Sequence, residues 1–364
     1  MEVVQSLRKG GRTKRFSDTV SGLRNQSNYV LPLCLSKPDK WVNIPDLQII
    51  RKQLGINWLL IFKIGKVIRD NKINVIHAHC EFSMLYASIA GAMCDVKTVA
   101  TFHRSDLSKY KPSLVNSLIR FFVSHYIAVS YDRLTLLTDN LKLPTNKCHV
   151  VHGGAIIENK PTSDSIDKVR TELEIPQNQL LLLSIGHLGA IKGHQDTLTA
   201  LAQLTQESQE SQESQNIHLY IAGDGSEREK KQLMVLLDKL QIQKDVTFLG
   251  QINNSSQWLE ACDIFIQPSI EEAFGLVFVE AGAKAKPVIA TSVGGIKEII
   301  IPKVTGILVP PASPEALKHA LILLINSSTL RTQYGDNGYQ RITENFSLAA
   351  MVRKYIEIFN IIVK

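Results

Sequence analysis

Short apolar runs alternate with amphipathic segments along the whole chain. This alternation is typical of successive strand–helix units around a parallel sheet, so the sequence predicts an α/β protein. Predicted strands in the first half span residues 3–5, 29–34, 75–78, 97–102, 126–129 and 148–152. In the second half they span residues 180–185, 219–222, 246–249, 264–267 and 288–290. We therefore expect one parallel sheet in each half of the chain.

One helix of the first half is predicted by the spacing of its apolar residues. These positions recur at intervals of three, four and one, and they are Ile56, Leu59, Leu60, Ile64, Val67 and Ile68. Residues at such intervals share one helix face, which predicts a helix from about 55 to 71.

The chain becomes polar between the two sets of strands, from Ile157 to Gln179. We interpret this stretch as a linker because it shows no sustained apolar period. The predicted organisation is an N-terminal domain over 1–155, a linker over 156–178, a C-terminal domain over 179–345 and a C-terminal helix over 346–364 that returns to the N-terminal domain. A length of 364 residues supports two domains, since one hydrophobic core rarely organises so long a chain.

Composition is ordinary for a soluble globular protein, with 44% hydrophobic and 21% charged residues. The start of the chain lacks the basic-then-apolar order of a signal peptide, and no apolar stretch approaches the length that spans a bilayer. The five cysteines are scattered without any Cys-x-x-Cys pair, which favours reduced thiols. We expect a cytoplasmic protein.

Charge is distributed unevenly between the two halves. Residues 1–155 carry 22 Lys/Arg against 10 Asp/Glu, whereas residues 156–364 carry 19 against 24. This asymmetry favours an anionic partner for the first half, such as lipid headgroups at the inner face of the cell membrane or a phosphorylated acceptor. A basic face that serves solubility alone is the alternative. Nucleic acid is not expected as a partner, because no recognisable nucleic-acid motif accompanies the charge.

Two glycine-containing segments follow predicted strands. Gly10 and Gly11 come after the first strand, where a turn without side chains lets backbone N–H groups approach a phosphate. A plain turn is the alternative, and the absence of a full Gly-x-Gly-x-x-Gly fingerprint argues against a dehydrogenase. In the second half, Lys192 lies beside Gly193 in a strand-to-helix connection that suits an anion. A solvated lysine is the alternative there.

The most specific segment runs from Pro268 to Ala281 and places Glu272 eight residues before Glu280. A helix that begins near Phe274 or Gly275 directs its free N–H groups toward the neighbourhood of Glu272. Glu280 then lies on a largely apolar helix, where a carboxylate needs hydroxyl or amide donors and ribose hydroxyls would serve. An ion pair with Lys284, four residues further on, is the alternative.

These segments together resemble family 4 glycosyltransferases. The second half carries the resemblance nearly throughout, in Gly186–Gly193, Ala222–Gly225, Phe248–Gly250, Glu272–Glu280, Pro287–Ala290 and Gly294–Glu298. The first half is similar more loosely, in Gly10–Gly11, Val75–His79, Thr101–His103, Ile127–Ser130 and Lys147–Gly153. The resemblance implies a GT-B fold, in which two Rossmann-like doubly wound domains face each other across a cleft, the first on the acceptor side and the second binding a nucleotide-sugar.

The resemblance also implies a role for particular residues. Lys192 would bind the donor diphosphate, Glu280 the ribose hydroxyls and Glu272 the transferred sugar. Backbone N–H groups beside that sugar would come from Phe274, Gly275 and Leu276. His103 would lie near the donor sugar and Gly11 near the diphosphate. For His103 a local hydrogen bond at a strand end is the alternative reading.

The chain departs from the family pattern at three places. His187 stands where the family usually has arginine, and an imidazole is neutral for much of its population at pH 7. Either the bound diphosphate keeps His187 protonated, or another cation such as Arg104 takes that role. The first loop reads Gly10-Gly11-Arg12-Thr13 in place of Gly-Gly-Ala-Glu, and His152-Gly153 replaces Asn-Gly. These two changes lead us to expect unusual acceptor chemistry.

The expected activity is retaining hexosyl transfer (EC 2.4) from a nucleoside-diphosphate sugar to a glycan or lipid-linked hydroxyl, in cell-surface polysaccharide or lipopolysaccharide biosynthesis. No Asp-x-Asp triplet occurs in the sequence, so we expect neither a metal ion nor a cofactor besides the donor substrate. The alternatives are a sugar-nucleotide epimerase or hydrolase on the same fold, and a donor-binding protein that has lost turnover.

Overall fold

The computed structural model describes residues 1–8, 10–53, 57–103, 114–211 and 216–363. They divide into two compact units. The first comprises Met1–Gly154 together with Leu348–Lys364, and the second comprises Ala155–Ser347. None of the helices within the described ranges is long and apolar enough to cross a bilayer.

The described strands of the first unit form one seven-stranded parallel sheet. Its strands are β1 (Glu2–Val4), β2 (Pro32–Cys34), β3 (Gln48–Ile49), β4 (Val75–His79), β5 (Lys97–Phe102), β6 (His125–Ala128) and β7 (Cys148–Val150). Their order in the sheet is β3-β2-β1-β4-β5-β6-β7. The order reverses between β1 and β4, and in open α/β sheets ligands bind outside the carboxyl ends of strands at such a point.

Helices cover both faces of this sheet. Those up to residue 139 are α1 (Gly11–Asn25), α2 (Trp58–Asp70), α3 (Glu81–Met93), α4 (Leu114–Phe122) and α5 (Tyr131–Asp139). The predicted helix at 55–71 corresponds to α2, which buries Leu60, Ile64 and Ile68 against the sheet. The predicted start at 55 and Ile56 lie outside the described residues. Phe16 and Val20 of α1 lie in a separate apolar cluster.

The described strands of the second unit form a six-stranded parallel sheet. Its strands are β8 (Leu180–Ile185), β9 (Ile217–Ala222), β10 (Val246–Gly250), β11 (Ile264–Gln267), β12 (Val288–Thr291) and β13 (Gly306–Val309). Their order, β10-β9-β8-β11-β12-β13, is the Rossmann order 3-2-1-4-5-6. Its reversal point lies between β8 and β11.

The remaining helices are α6 (Ser163–Glu172), α7 (His194–Ser211), α8 (Glu227–Leu240), α9 (Ser255–Ala261), α10 (Leu276–Ala283), α11 (Ile296–Ile299), α12 (Pro314–Ile325), α13 (Ser328–Asn345) and α14 (Leu348–Val363). All belong to the second unit except α14, which belongs to the first. Met351, Val352 and Tyr355 of α14 are buried in the apolar cluster that also contains Phe16 of α1.

The prediction of a linker over 156–178 is wrong for α6. This helix begins with a capping box between Thr162 and Ser165 and belongs to the second unit. The buried side chain of Arg170 donates through Nε to the carbonyl oxygen of Ala261 at 3.0 Å and pairs with Asp263. Because a cap and one buried arginine hold the helix in place, it needs little apolar periodicity, and the polar sequence concealed it.

Candidate functional site

Two loops of the second unit meet beyond the carboxyl ends of β8 and β11, where the strand order reverses. The loop after β8 passes through a 3₁₀ turn, Ala190–Lys192, and the loop after β11 leads to Glu272. Lys192 Nζ donates to Glu272 Oε2, and the two side chains are 22% and 15% exposed. The structure therefore brings two of the predicted site residues together in one partly exposed ion pair.

The backbone of the lysine loop is fixed against β11. Gly193 has φ +70°, and a Cβ there would lie 2.0 Å from the carbonyl oxygen of Pro268. The buried Gln267 donates through Nε2 to the carbonyl oxygen of Lys192 at 2.5 Å and accepts from the hydroxyl of Ser184 at 3.0 Å. Only glycine fits at 193, so the position of the lysine follows from the close approach of the two loops.

The helix predicted to begin near Phe274 or Gly275 is α10, which begins at Leu276. Gly275 caps it with φ +100°, and a Cβ there would lie 2.5 Å from the ring of Phe278. The first N–H groups of a helix have no partner within the helix, and they carry its positive dipole end. α10 thus starts four residues after Glu272 and offers donors suited to an anion or a hydroxyl.

The carbonyl oxygen of Glu272 accepts from the N–H of Gly295 at 3.4 Å, which ties the acidic loop to the Gly294-Gly295 turn. Glu280 is the fifth residue of α10 and half-buried. It lies four residues after Leu276, so both face the same side of the helix. Lys284, its alternative partner, donates to Glu158 at 2.7 Å and to Glu260 at 2.9 Å. The ribose role of Glu280 stays a prediction.

His187, which replaces the family arginine, is 58% exposed. Its Nδ1 accepts the backbone N–H of Gly189 at 2.9 Å and lies 3.9 Å from Oε1 of Glu229. Because Nδ1 is an acceptor in this hydrogen bond, the neutral ring carries its proton on Nε2. In this tautomer the ring of His187 offers a single donor, its Nε2–H. Arg104, the other candidate cation, lies outside the described residues.

The first unit has a cavity of about 230 Å³ at the carboxyl ends of β1, β4 and β5. Its lining includes Gln5, Arg12, Cys80, Glu81 and His103. His103 directly follows β5, and Gly11 is the first residue of α1. His103 thus lines a cavity beside the reversal point of its own sheet, since β5 is the neighbour of β4. Its contact with a sugar and that of Gly11 with a diphosphate stay predictions.

Sequence reasoning missed a buried polar chain that ends at His103. Glu2 contacts Nδ1 of His77 through Oε1 at 3.0 Å and Nε2 of His79 through Oε2 at 2.8 Å. Nδ1 of His79 lies 2.8 Å from Nε2 of His103, and Nε2 of His77 lies 2.6 Å from the hydroxyl of Thr101. The available signal was two histidines at positions i and i+2 of an otherwise apolar strand, which share one face of the sheet.

Burial and mutual contact set the charges in this chain. Burial alone would raise the pKa of Glu2, but the charge and hydrogen bonds of His77 and His79 outweigh it and hold that pKa well below its usual range. Burial, reinforced by the nearby charge of His77, lowers the pKa of His79 to about 4. Burial is also the main reason that the pKa of His103 lies well below its usual range. At neutral pH, Glu2 is a carboxylate and both His79 and His103 are neutral.

One group of described residues has ligand atoms close enough to hold a metal ion. It consists of Glu2, His77 and His79, and one ligand atom of each lies within 4.8 Å of the other two. Their atoms are already paired, since the carboxylate oxygens accept ring N–H groups. A protonated ring nitrogen has no lone pair for a metal. The group fits a hydrogen-bond network better than a metal site.

Both units match models of known glycosyltransferase families. Residues 28–158 match the model described as Glycosyltransferase Family 4. Residues 165–341 match the model described as Glycosyl transferases group 1. The matched ranges include β8 through α12 of the second unit and therefore the loops that carry Lys192 and Glu272.

Similar proteins span most of the chain. N-acetyl-alpha-D-glucosaminyl L-malate synthase of Bacillus anthracis is 27% identical over 307 residues, which are 82% of this chain and 78% of that protein. Lipopolysaccharide core biosynthesis glycosyltransferase LpsE of Rhizobium meliloti is 25% identical over 189 residues, 52% of each chain. The crystal structure of Anabaena Alr3699/HepE in complex with UDP superposes with a TM-score of 0.85 and 21% identity, over 99% of this chain and 98% of that chain. This last likeness is one of fold.

Proposed function

Because the chain belongs to glycosyltransferase family 4, we propose that it transfers a hexosyl or related sugar from a nucleoside-diphosphate sugar to a hydroxyl of a glycan or lipid-linked acceptor. The chain is a glycosyltransferase with the GT-B fold. The proposal adds the class of donor and of acceptor, retention of the anomeric configuration and a reaction without a metal ion.

The observation that carries the proposal is the pair of Lys192 and Glu272 at the reversal point of the second sheet, with Glu272 four residues before the start of α10. A cation and a helix N-terminus favour a diphosphate, while a carboxylate favours sugar hydroxyls. The ammonium of Lys192 has three donors, so it can bind a phosphate oxygen without leaving Glu272. One small region thus supplies partners for both ends of the sugar–phosphate bond.

Transfer breaks the bond between the anomeric carbon and the diphosphate oxygen, and negative charge builds on the leaving diphosphate. Lys192 and the first N–H groups of α10 stabilise that charge through groups that are already oriented. The leaving phosphate oxygen takes the proton of the acceptor hydroxyl. The hydroxyl oxygen then forms the new bond to the anomeric carbon, on the face from which the diphosphate departs. Similar folds solved with UDP and with UDP-glucose, those of Anabaena HepE, support a nucleotide-sugar as the donor.

The remaining predicted residues complete the donor site. Glu280 lies on the Leu276 face of α10 and accepts the ribose hydroxyls, while the Nε2–H of His187 donates to the diphosphate. Gly11, at the start of α1, supplies a backbone N–H to the same anion, and His103 contacts the sugar. Phe274 and Gly275 contribute the backbone groups that precede α10.

The first unit exposes apolar side chains beside lysines on α2. Trp58, Leu59 and Phe62 of α2 are exposed, and Lys63 and Lys66 are exposed beside them. Aromatic and apolar residues next to lysines are typical of helices that lie on an anionic membrane. We propose peripheral contact with the inner face of the cell membrane and a lipid-linked acceptor for a cell-surface polysaccharide or lipopolysaccharide, in line with the similarity to LpsE, a glycosyltransferase of lipopolysaccharide core biosynthesis. Sedimentation with phosphatidylglycerol vesicles tests the membrane contact. Vesicle binding that survives the double substitution Trp58→Ala and Phe62→Ala would contradict this contact.

The donor proposal is tested by thermal shift with a panel of nucleotide-sugars, followed by release of nucleoside diphosphate with and without a lipid extract. Ligand binding stabilises the folded state, so the true donor raises the melting temperature. Release that depends on the extract supports transfer. Release without it indicates a hydrolase, and binding without release indicates a donor-binding protein.

The matched variants are Lys192→Ala and Lys160→Ala. Lys160 also pairs with an acidic residue of the second unit, Asp336 of α13 at 2.5 Å, and neither residue belongs to a loop that follows β8 or β11. Lys192→Ala should lower kcat/KM by about 10²–10³-fold, as expected when one preorganised donor to the developing charge is lost. Lys160→Ala should change it little. Equal rates for the two variants would contradict the role of Lys192.

A further inference from the structure

A hydrogen-bonded chain connects the core of the first unit with its cavity. It runs from Oε2 of Glu2 to Nε2 of His79 at 2.8 Å, and from Nδ1 of His79 to Nε2 of His103 at 2.8 Å. Glu2 and His79 are buried, whereas His103 is half-buried and lines the cavity of about 230 Å³. A buried carboxylate is therefore joined, through one ring, to a ring that a ligand can reach.

The direction of each hydrogen bond in this chain is determined by its first member. A carboxylate only accepts, so His79 must donate from Nε2. A neutral imidazole has a single N–H, so Nδ1 of His79 carries a lone pair and can only accept. His103 must therefore donate to it from Nε2. Nδ1 of a neutral His103 is then an acceptor. The proton positions follow from the network, which is how tautomers are assigned.

The surroundings support this arrangement. His77 gives Glu2 a second ring donor and contacts the hydroxyl of Thr101 with its other nitrogen. Arg15 of α1 is buried nearby, where it donates to the hydroxyl of Tyr355 at 2.9 Å. Its positive charge opposes protonation of either His79 or His103. Burial, with a smaller contribution from this charge, keeps both rings neutral, as the directions of the hydrogen bonds require.

We propose that Glu2 and His79 are positioning residues that hold His103 in the tautomer protonated at Nε2, so that Nδ1 accepts a hydrogen bond from a hydroxyl of the bound sugar. The sugar part rests on the proposed function, whereas the tautomer does not. An accepting nitrogen attracts a hydroxyl and repels the oxygens of a phosphate or carboxylate. His103 therefore selects the neutral, hydroxyl-bearing part of the donor and takes no part in binding the diphosphate.

The tautomer is tested directly by nitrogen NMR of protein labelled in the histidine rings. The His103 signals are assigned by their disappearance in His103→Gln. The expected result at neutral pH is a protonated Nε2 and an unprotonated Nδ1 for His103. A protonated Nδ1 would overturn the proposal, and it would do so whether or not the protein turns over any sugar nucleotide.

Substitutions test whether the two buried residues cause that state. Glu2→Gln replaces a pure acceptor by an amide that can also donate, so His103 should show both tautomers. With the donor in use, kcat/KM should fall about 10-fold, the scale of one lost hydrogen bond to the sugar. Thr101→Val is the matched control, because it removes a polar contact from the same buried cluster without touching the path to His103. It should leave the tautomer unchanged.

A second pair keeps the test decisive if Glu2→Gln does not fold. His79→Asn retains an acceptor near the position of Nδ1, whereas His79→Leu removes it. The asparagine variant should keep the wild-type tautomer of His103 and a larger part of kcat/KM than the leucine variant. An unchanged tautomer in His79→Leu would overturn the proposal. Absence of turnover by the wild-type protein with every nucleotide-sugar would instead reject the proposed function and leave the NMR result standing.

Discussion

At the scale of single residues, His187 is the strongest departure from the family pattern. Its Nδ1 already accepts the N–H of Gly189, so a protonated ring would lose that hydrogen bond. The neutral ring can still donate from Nε2, but it supplies no full positive charge to a diphosphate. An arginine at this position would be charged at every working pH.

His187→Arg should therefore extend the active pH range upward and raise kcat/KM most on the alkaline side. The measurement is the pH profile of nucleoside diphosphate release with the donor identified by thermal shift. His319→Arg is the control, because His319 is exposed on α12 and pairs only loosely with Glu315 at 3.5 Å. A profile that is the same for His187→Arg and the wild type would show that His187 does not limit binding of the diphosphate.

His194 makes stability depend on pH. It is 1% exposed, and its Nε2 donates to the carbonyl oxygen of His187 at 3.2 Å while its Nδ1 lies 3.3 Å from the hydroxyl of Ser184. Burial lowers the pKa of His194 to about 4. Above about pH 6.5 the ring is neutral in both the folded and the unfolded chain. As the pH falls from 6.5 to 4, only the unfolded chain takes up the proton, so the free energy of unfolding falls by about 3 kcal/mol.

Urea unfolding of the second unit between pH 7 and pH 4.5 checks this. His194→Gln should flatten the decline, since the variant has no ring to protonate, while His319→Gln should follow the wild type. A decline that is equally steep in His194→Gln would show that other groups cause the acid sensitivity. His79, whose pKa burial also lowers to about 4, makes the corresponding contribution in the first unit.

The sequence revealed Lys192 and Glu272 because glycines and a helix start surround them, and such features are local. It did not reveal the roles of Glu2 and His79, because their meaning depends on which strands become neighbours. Glu2 lies beside His77 only through the parallel register of β1 and β4. A pairing between residues 75 positions apart is set by the whole sheet and leaves no mark in either segment alone.

At the scale of elements, apolar runs predicted every described strand except β3 and β13. The strands at 97–102, 180–185 and 264–267 have the predicted bounds. The two residues of β3 are both exposed, so this strand pairs through its backbone without an apolar signal. β13 was also missed, since it is a run of four residues that starts with glycine, and such short runs are ambiguous.

The start of α10 depends on a glycine. In Gly275→Ala the new Cβ meets the ring of Phe278 at 2.5 Å and the residue keeps φ near +100°, so either the ring or the helix start must shift. We expect a loss of stability of about 1–3 kcal/mol and a larger KM for the donor. Gly250→Ala is the matched control: φ there is +63°, but nothing lies within 4 Å of the added Cβ. It should lower the melting temperature slightly and leave KM unchanged.

At the scale of the whole molecule, the chain leaves the first unit at residue 154 and returns to it with α14. The return is fixed by Tyr355, which is fully buried and accepts hydrogen bonds from Nε and Nη2 of Arg15 at 3.2 and 2.9 Å. The first unit therefore needs both ends of the sequence for its core, whereas the second unit is continuous. Separate cores allow each unit to open by itself.

Tyr355→Ala should therefore weaken the first unit selectively. Loss of a buried aromatic side chain costs on the order of 3–5 kcal/mol, and here it also leaves Arg15 without its hydroxyl partner. Hydrogen exchange should accelerate at the amides of β4 and β5 and stay at the wild-type rate in β8 and β11.

Tyr334→Ala provides the reciprocal comparison, because Tyr334 is buried in the core of the second unit. It should accelerate exchange in β8 and β11 and spare β4 and β5. If either substitution accelerates exchange in all four strands to the same extent, the two units unfold as one cooperative body. In that case the thermal shift caused by a nucleotide-sugar bound to the second unit would protect the first unit as well.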